Sequence, residues 1–235
     1  ERDVPLRRRS WRRRRWRSWV LGGVGAVVVA LVALLVTNLA TGSGATLWPG
    51  GDPVRRLCPS SPSDTGSLRV SDRVSNGGLS YPLLEGSWAE PEVVPDFPFG
   101  RGVTEQFAET EVKLLGSWGA SVIVGELAAG DGFFTSKDGA ERVLTCVIGL
   151  FYRDALISRV DQQSSAVELD HRRGWIIRSH LTFDLPDIEA KGERLTVVVM
   201  DLPDHRSGVF LSSVPDNAPG LLADADAAQG GLRVD

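Results

Sequence analysis

The chain has 235 residues, which is enough for one domain of ordinary size with appendages and excludes two large domains. Its net charge of −4 averages two unlike parts, since residues 1–18 carry nine arginines against Glu1 and Asp3 (+7) and the other 17 basic and 28 acidic residues give −11. A basic tail on an acidic body argues against one nucleic-acid-binding surface. Only three of the 26 basic residues are lysines, a usage typical of a high-GC, actinobacterial-type genome.

The first element in chain order is an apolar segment at residues 19–40, which follows the basic tail of residues 1–18 and contains no charged residue. A helix of this length, at about 1.5 Å per residue, covers the roughly 30 Å hydrocarbon core, so the segment predicts a transmembrane helix. A cleaved signal peptide has the same order of basic and apolar residues, but its apolar part is usually only about 7 to 15 residues long. The length therefore favours an uncleaved anchor in the lipid bilayer.

The arginines set the expected topology, because basic residues that flank a spanning helix stay on the cytoplasmic side. We expect a cytoplasmic N-terminus and an extracytoplasmic body. Residues 41–78 are rich in Gly, Ser, Pro and Asp and predict a linker, and residues 79–235 predict a folded domain. In an oxidising compartment the two lone cysteines, Cys58 and Cys146, favour a disulfide over a metal site, and two buried free thiols are the alternative.

Within residues 79–235 the sequence alternates between apolar runs and turn residues. The first strand, at 79–84, is predicted at a sheet edge because Pro82 has no N–H to donate. A helix with apolar residues at spacings of three and four is predicted at 137–153, capped by Ser136 or Asp138. The remaining predicted elements are strands at 103–114, 118–127, 165–171, 175–185, 194–202 and 207–214, a tight turn at 172–174, and a last helix at 217–228 capped by Asp216 or Asn217.

This order of elements predicts an α+β fold, in which one antiparallel sheet carries packed helices, preceded by one transmembrane helix. The segments "GLSYPLLEGSW", "GWIIRSHLTF", "VVVMDLPDHRSGVFLSSVPDN" and "GLRV" resemble the PsbP-like architecture of the photosystem oxygen-evolving subunit and of mycobacterial lipoproteins of the LpqN type. The resemblance covers residues 79–235. It implies a PsbP-like sandwich that binds or assembles rather than catalyses, and the membrane helix departs from the lipoproteins.

The sequence contains few residues in patterns that carry chemistry. It has neither the G-x-S-x-G of a serine hydrolase nor the spacing of a zinc site, and it suggests no cofactor. One polar cluster, Asp201, Asp204 and His205, could orient an imidazole or bind a divalent ion, although Pro and Asp are ordinary turn residues. His171 is expected in a solvated hairpin, and His180 on the wetter face of its strand.

These observations predict a single-pass envelope protein whose extracytoplasmic domain binds a partner protein or ligand without catalysis. The alternative is an envelope hydrolase that uses a His/Asp pair, with His205 or His180 as the base. A third class, nucleic-acid binding through the arginine tail, is not expected. On the concave surface of the sheet, a pocket that gathers a histidine, an acid and a nucleophile would favour the hydrolase, whereas an apolar groove or a flat patch would favour binding.

Overall fold

A computed structural model gives the structure of the part of the chain beyond residue 56. It describes residues 57–59, 68–113, 116–128, 135–152 and 155–235. These residues fall within one compact unit, 52–235. The predicted basic tail (1–18) and transmembrane helix (19–40) lie outside the described residues. In the described ranges no helix is both long enough and apolar enough to span a bilayer.

The described residues include two α-helices, α1 (Ser136–Phe151) and α2 (Gly220–Gly230), and a 3-10 turn at Pro203–His205. The strands are β1 (Arg69–Val70), β2 (Arg73–Asn76), β3 (Leu79–Pro82), β4 (Glu92–Val93), β5 (Gly100–Lys113), β6 (Gly116–Leu127), β7 (Ser158–Leu169), β8 (Arg172–Thr182), β9 (Gly192–Asp201), β10 (Ser207–Pro215) and β11 (Arg233–Val234). The pairings are antiparallel, so the α+β prediction with antiparallel strands and two helices is confirmed.

The larger sheet has seven strands in the order β4-β5-β6-β10-β9-β8-β7. The inner strand β9 contains the run "VVVM", in which Val197 and Val199 face one side and Val198 and Met200 face the other. All four side chains are buried. A strand that is apolar on both faces needs a layer on each side, so the single-layer sheet expected from the sequence is only part of the fold.

Helix α1 covers one face of the larger sheet. Its residues Ala140, Val143, Leu144 and Val147 recur at spacings of three and four and are buried against the strands, as the sequence pattern predicted. The helix bounds agree with the predicted 137–153 to within two residues. Its cap differs, because the Oγ1 of Thr135 accepts the hydrogen bond from the Asp138 N–H at 3.1 Å, in place of a Ser136 or Asp138 side chain.

A second sheet, in the order β1-β2-β3-β11, covers the opposite face together with α2. Strand β3 lies between β2 and β11, so the prediction that it forms a sheet edge was wrong. Pro82 is the last residue of β3, and β11 pairs only with Leu79 and Ser80. The missing N–H of the proline therefore falls beyond the end of the two-residue β11 and removes no bond from the ladder.

The predicted linker at 41–78 extends too far toward the C-terminus. Strands β1 and β2 lie within it, and the side chain of Val74 is fully buried beneath the second sheet. The glycines that indicated a linker, Gly77 and Gly78, form the β2–β3 turn at φ values of 62° and 84°. Positive φ angles are a use of glycine that composition alone does not separate from a flexible linker.

Two further turns differ from their predictions. The β7–β8 turn is formed by Asp170 and His171, with φ values of 49° and 60°, and not by residues 172–174, which belong to β8. Helix α2 begins at Gly220 after Pro219 and has no side-chain cap, because Asp216 and Asn217 bond elsewhere. Polar residues near a helix start can serve tertiary contacts, and the sequence does not show which use prevails.

Cys58 and Cys146 form a disulfide with Cα atoms 5.6 Å apart. Cys146 lies on the buried side of α1. The bond therefore attaches the segment around Cys58 to the helix that covers the larger sheet, and it closes a long loop, a constraint that acts mainly on the unfolded chain.

Candidate functional site: an acidic apolar cleft

A cleft with a volume of about 390 Å³ opens on the α1 side of the larger sheet. Strands β5, β6, β9 and β10 contribute its floor, and the C-terminal end of α1 with Tyr152 forms a wall. Its apolar lining includes Phe97, Phe107, Ile123, Val147, Leu195 and Leu211. A concave, mostly apolar surface with a few polar groups is the usual form of a small-molecule site.

Two aromatic rings, Trp118 and Tyr152, line one wall of the cleft, and Phe183 packs against them. Trp118 and Tyr152 meet edge to face with ring centroids 5.9 Å apart, and Phe183 packs against both rings at 5.7 Å and 5.1 Å. The indole Nε1 of Trp118 is buried and has no hydrogen-bond partner among the described residues. Buried indole N–H groups normally have an acceptor, so this one is a free donor beside the cleft.

Glu193 is the most deeply buried acid of the cleft, with 3% of its surface exposed. Burial raises the pKa of its carboxyl group to about 6, although hydrogen bonds from the hydroxyls of Tyr152 and Ser213 oppose the rise. Burial also raises the pKa of Tyr152, and the nearby Glu193 carboxylate adds to this effect. Tyr152 therefore remains a neutral hydrogen-bond donor to a carboxylate that is largely ionised at neutral pH.

A pair of acids lies on strands β4 and β5. Glu92 and Glu105 are directly opposite each other across the two strands, and both line the cleft. Burial raises the pKa of Glu105, a hydrogen bond with Ser121 opposes the rise, and the charge of Glu92 adds to it. Like charges at directly opposite positions destabilise a sheet, so this pair has a cost that packing alone does not explain.

The charged residues in the described lining of the cleft are all acids. Its lining contains three glutamates and, within the described part of the chain, no arginine, lysine or histidine. Its serines, Ser117, Ser121 and Ser213, have no histidine beside them in the described lining, although acyl transfer would need that pair. The arrangement is suited to binding a ligand that has an apolar body and a positive or hydrogen-bond-donating group.

The polar cluster Asp201, Asp204 and His205 lies outside the cleft, in the connection between β9 and β10. All three side chains are exposed, and Asp204 and His205 have positive φ angles of 59° and 57°. Asp and His are among the residue types enriched in this backbone region, which accounts for their presence in the turn. In the described ranges no group of three or more His, Cys, Asp or Glu residues is arranged to hold a metal ion.

The structure does bring one histidine to an acid. The Nε2 of His180 lies 2.8 Å and 3.1 Å from the two carboxylate oxygens of Asp216. His180 alternates with Ile177 and Leu181, which face α1, so the pair lies on the opposite side of the sheet from the cleft. His171 is exposed in the β7–β8 turn.

The sequence patterns did not single out Glu105, Trp118, Tyr152 or Glu193. A signal was present in β5, where Glu105 and Phe107 have the same phase and therefore share a face. An acid in phase with a half-buried aromatic residue indicates either a paired charge or a site. The side chains around the acid decide between these two interpretations, and they come from distant parts of the chain.

No protein-family model and no curated protein sequence matches this chain. Among solved structures, it is similar to the solution structure of cyanobacterial PsbP (CyanoP) from Synechocystis sp. PCC 6803. The two share 15% identity with a TM-score of 0.44, and the alignment covers 72% of this chain and 96% of the other. The PsbP-like resemblance noted in the sequence recurs in this comparison.

Proposed function

We propose that this chain is a membrane-anchored, extracytoplasmic binding protein of the bacterial cell envelope, and that the cleft beside α1 is its ligand site. The observation that carries the proposal is the cleft itself, a concave apolar surface with three acids and no basic residue in its described lining. Such surfaces bind small molecules through apolar contact and orient them with a few polar groups. The proposed activity is binding without chemical conversion.

The anchored location is supported by the arginine-rich tail and the uncharged segment at 19–40. The bond between Cys58 and Cys146 is consistent with an oxidising compartment, where disulfides persist. Under this topology the tail contacts anionic lipid on the inner face and the cleft opens outside the cell.

A hydrolase is the rival function, and the His180–Asp216 pair is the observation in its favour. An acid can orient a histidine that serves as a general base. The cleft, however, lies on the other side of the sheet, and the contacts of this histidine go to Asp216. We therefore give the pair a structural role, in which it holds the segment after β10 against β8.

The cleft can be tested by filling it. Ser121 is a small residue on its floor, and Ser121→Phe places a ring inside it, whereas Ser158→Phe makes the same change on the exposed start of β7. Each full-length protein is purified from its native membrane, and the small molecules that copurify are identified by mass spectrometry. We expect the same enriched compound with wild type and Ser158→Phe and its loss with Ser121→Phe. Equal recovery from all three proteins, or no enriched compound in wild type, contradicts the proposed site.

The topology is tested separately with reporter fusions. An alkaline phosphatase joined after residue 60 should be active, because it folds only after export, and a green fluorescent protein at the N-terminus should fluoresce. When membranes that contain the protein are washed with alkaline carbonate, the full chain should remain in the membrane pellet. An inactive phosphatase fusion, or release of the chain by carbonate, would exclude the anchored extracytoplasmic arrangement.

A further inference from the structure

The cleft contains more negative charge than the fold neutralises. Another buried acid, Glu111, shows how the same chain satisfies a carboxylate: its oxygens accept bonds from the backbone N–H groups of Glu189 and Ala190 and from the Asn217 amide, at 2.8 to 2.9 Å. Glu126, on the surface, pairs with Arg206 and Arg101. In both cases the protein supplies several donors or a cation.

The buried acids of the cleft, in contrast, accept hydrogen bonds from neutral hydroxyl groups. Glu193 receives hydrogen bonds from two neutral hydroxyls, and Glu105 from the single hydroxyl of Ser121. In the described structure neither forms an ion pair with an arginine or lysine, although both are largely removed from solvent. Buried carboxylates are normally paired with a cation, so the arrangement lacks a positive group that a ligand can supply.

The shape and lining of the cleft restrict that ligand further. A volume of about 390 Å³ is near the lower end for small-molecule sites and suits a compact organic molecule rather than a protein segment. The rings of Trp118 and Tyr152 offer faces and edges to an apolar body and favour a neighbouring cation. The free indole N–H of Trp118 can donate to an acceptor on the same molecule.

We infer that the cleft binds a small organic ammonium ion, whose apolar body lies against Phe107, Trp118 and Leu211 and whose nitrogen binds the carboxylate of Glu193. This inference rests on the proposed function, because it names the class of ligand for the same site. Binding involves no covalent change. An ammonium ion favours ionised carboxylates, so its affinity should increase as the pH rises from 5 to 7, the range in which the Glu193 carboxyl group loses its proton.

The test compares three probes of similar shape and different charge: 2-phenylethylamine, 2-phenylethanol and phenylacetate. Their affinities for the full-length protein in detergent are measured by isothermal titration calorimetry. We expect the amine to bind about tenfold or more tightly than the alcohol, since hydrogen bonds to charged groups are the stronger ones, and phenylacetate to bind more weakly still. Equal affinity for amine and alcohol, or preference for phenylacetate, overturns the inference.

Amino-acid substitutions test which carboxylate binds the ammonium ion. Glu193→Gln should lower the affinity for the amine about tenfold and leave the affinity for the alcohol unchanged. Glu168→Gln, on the exposed side of β7, is the matched control and should change neither. Thermal unfolding of each variant confirms that it is folded. Unchanged amine affinity in Glu193→Gln overturns the inference.

The proposed function and the ligand class can fail separately. If the alcohol binds as well as the amine and Ser121→Phe abolishes both, the cleft is a binding site for an uncharged ligand, so the ammonium inference is wrong and the proposed site stands. If neither probe binds to wild type, the ammonium inference is also wrong, and the compound that copurifies with wild type then decides the proposed function.

Discussion

Glu193 occupies a position at which ionisation opposes folding. Its carboxyl group is 3% exposed, and burial raises its pKa from the ordinary 4.5 to about 6. The folded state therefore binds this proton more tightly than the unfolded state. Its contribution to stability is greatest below pH 4.5 and is lost as the pH rises through 6, an effect of about 2 kcal/mol for a rise of this size.

Glu193→Gln should remove this pH dependence. The amide keeps the shape of the side chain and cannot ionise, so the variant should gain about 2 kcal/mol in free energy of unfolding relative to wild type between pH 4 and pH 7. Urea unfolding at pH 4, 5, 6 and 7 measures the difference, with Glu168→Gln as the exposed control. Parallel pH profiles for Glu193→Gln and wild type would show that Glu193 titrates normally.

At Gly77 the backbone of the second sheet closely approaches that of the larger one. Gly77 has a φ of 62°, and a Cβ atom there would lie 2.0 Å from the backbone nitrogen of Glu126 in β6. Gly86 has a similar φ of 78°, but a Cβ atom there would meet nothing within 4 Å. The two glycines thus share a backbone conformation and differ in the space around them.

Alanine substitutions separate these two effects. Gly86→Ala should cost about 1 to 2 kcal/mol, the strain of a left-handed residue. Gly77→Ala should cost more than about 3 kcal/mol, because the β2–β3 turn must also move away from β6. Chemical denaturation of both variants measures the costs. Similar values would mean that the turn shifts freely and that the contact between the two sheets is loose.

At the scale of elements, the start of α1 depends on Thr135. Its Oγ1 accepts a hydrogen bond from the Asp138 N–H at 3.1 Å, and its hydroxyl donates to the Asp138 carboxylate at 2.8 Å. Thr135→Ala should therefore lower the free energy of unfolding by about 1 kcal/mol. Ser136→Ala, one residue further along, should change it by less than about 0.5 kcal/mol. Thermal unfolding measures the loss of stability in each variant. Equal losses would show that Thr135 is not the residue that caps α1.

Periodicity predicted the long elements well and their ends less well. The apolar spacing of α1, the two-residue repeat of β8 and the continuous apolar runs of β9 and β10 are set by burial, which the sequence displays directly. Caps and turns depend on one or two polar residues with several possible partners, so Thr135 replaced Ser136 and Asp170 with His171 replaced residues 172–174. The second sheet was missed because β1, β2 and β11 have at most four residues each.

The cleft is a property of the whole domain. Its acids and aromatic rings come from β4, β5, β6, β9 and the end of α1, and Glu92 and Glu193 are separated by about a hundred residues of chain. Each of these residues has an ordinary local explanation in the sequence. Only the order of strands in the larger sheet, which places β6 beside β10, brings them together. The sequence therefore predicted a binding domain without indicating where it binds.

The outer edge of the larger sheet is formed by β7, a strand of 12 residues with Val160 exposed over 60% of its surface. A long edge strand can pair with a second molecule unless charges or bulges prevent it. Here Arg159 and Asp161 form an ion pair at 2.6 Å beside Val160, and the pairing with β8 is irregular between Asp161 and Gln163. The hydrogen bond from Arg159 lowers the pKa of Asp161, so the charge persists in acid.

Replacing this pair tests whether it keeps the edge from pairing. The double variant Arg159→Thr, Asp161→Thr leaves the net charge unchanged and adds two β-branched residues, so we expect more self-association than in wild type, measured by light scattering over a concentration series. Glu168→Thr, Arg173→Thr removes an opposite pair at the hairpin end of β7 and β8 and serves as the control. Because both double variants change charge equally, association of the first alone assigns the effect to the exposed edge around Val160. Equal behaviour of the two would show that the bulge, rather than the ion pair, protects the sheet.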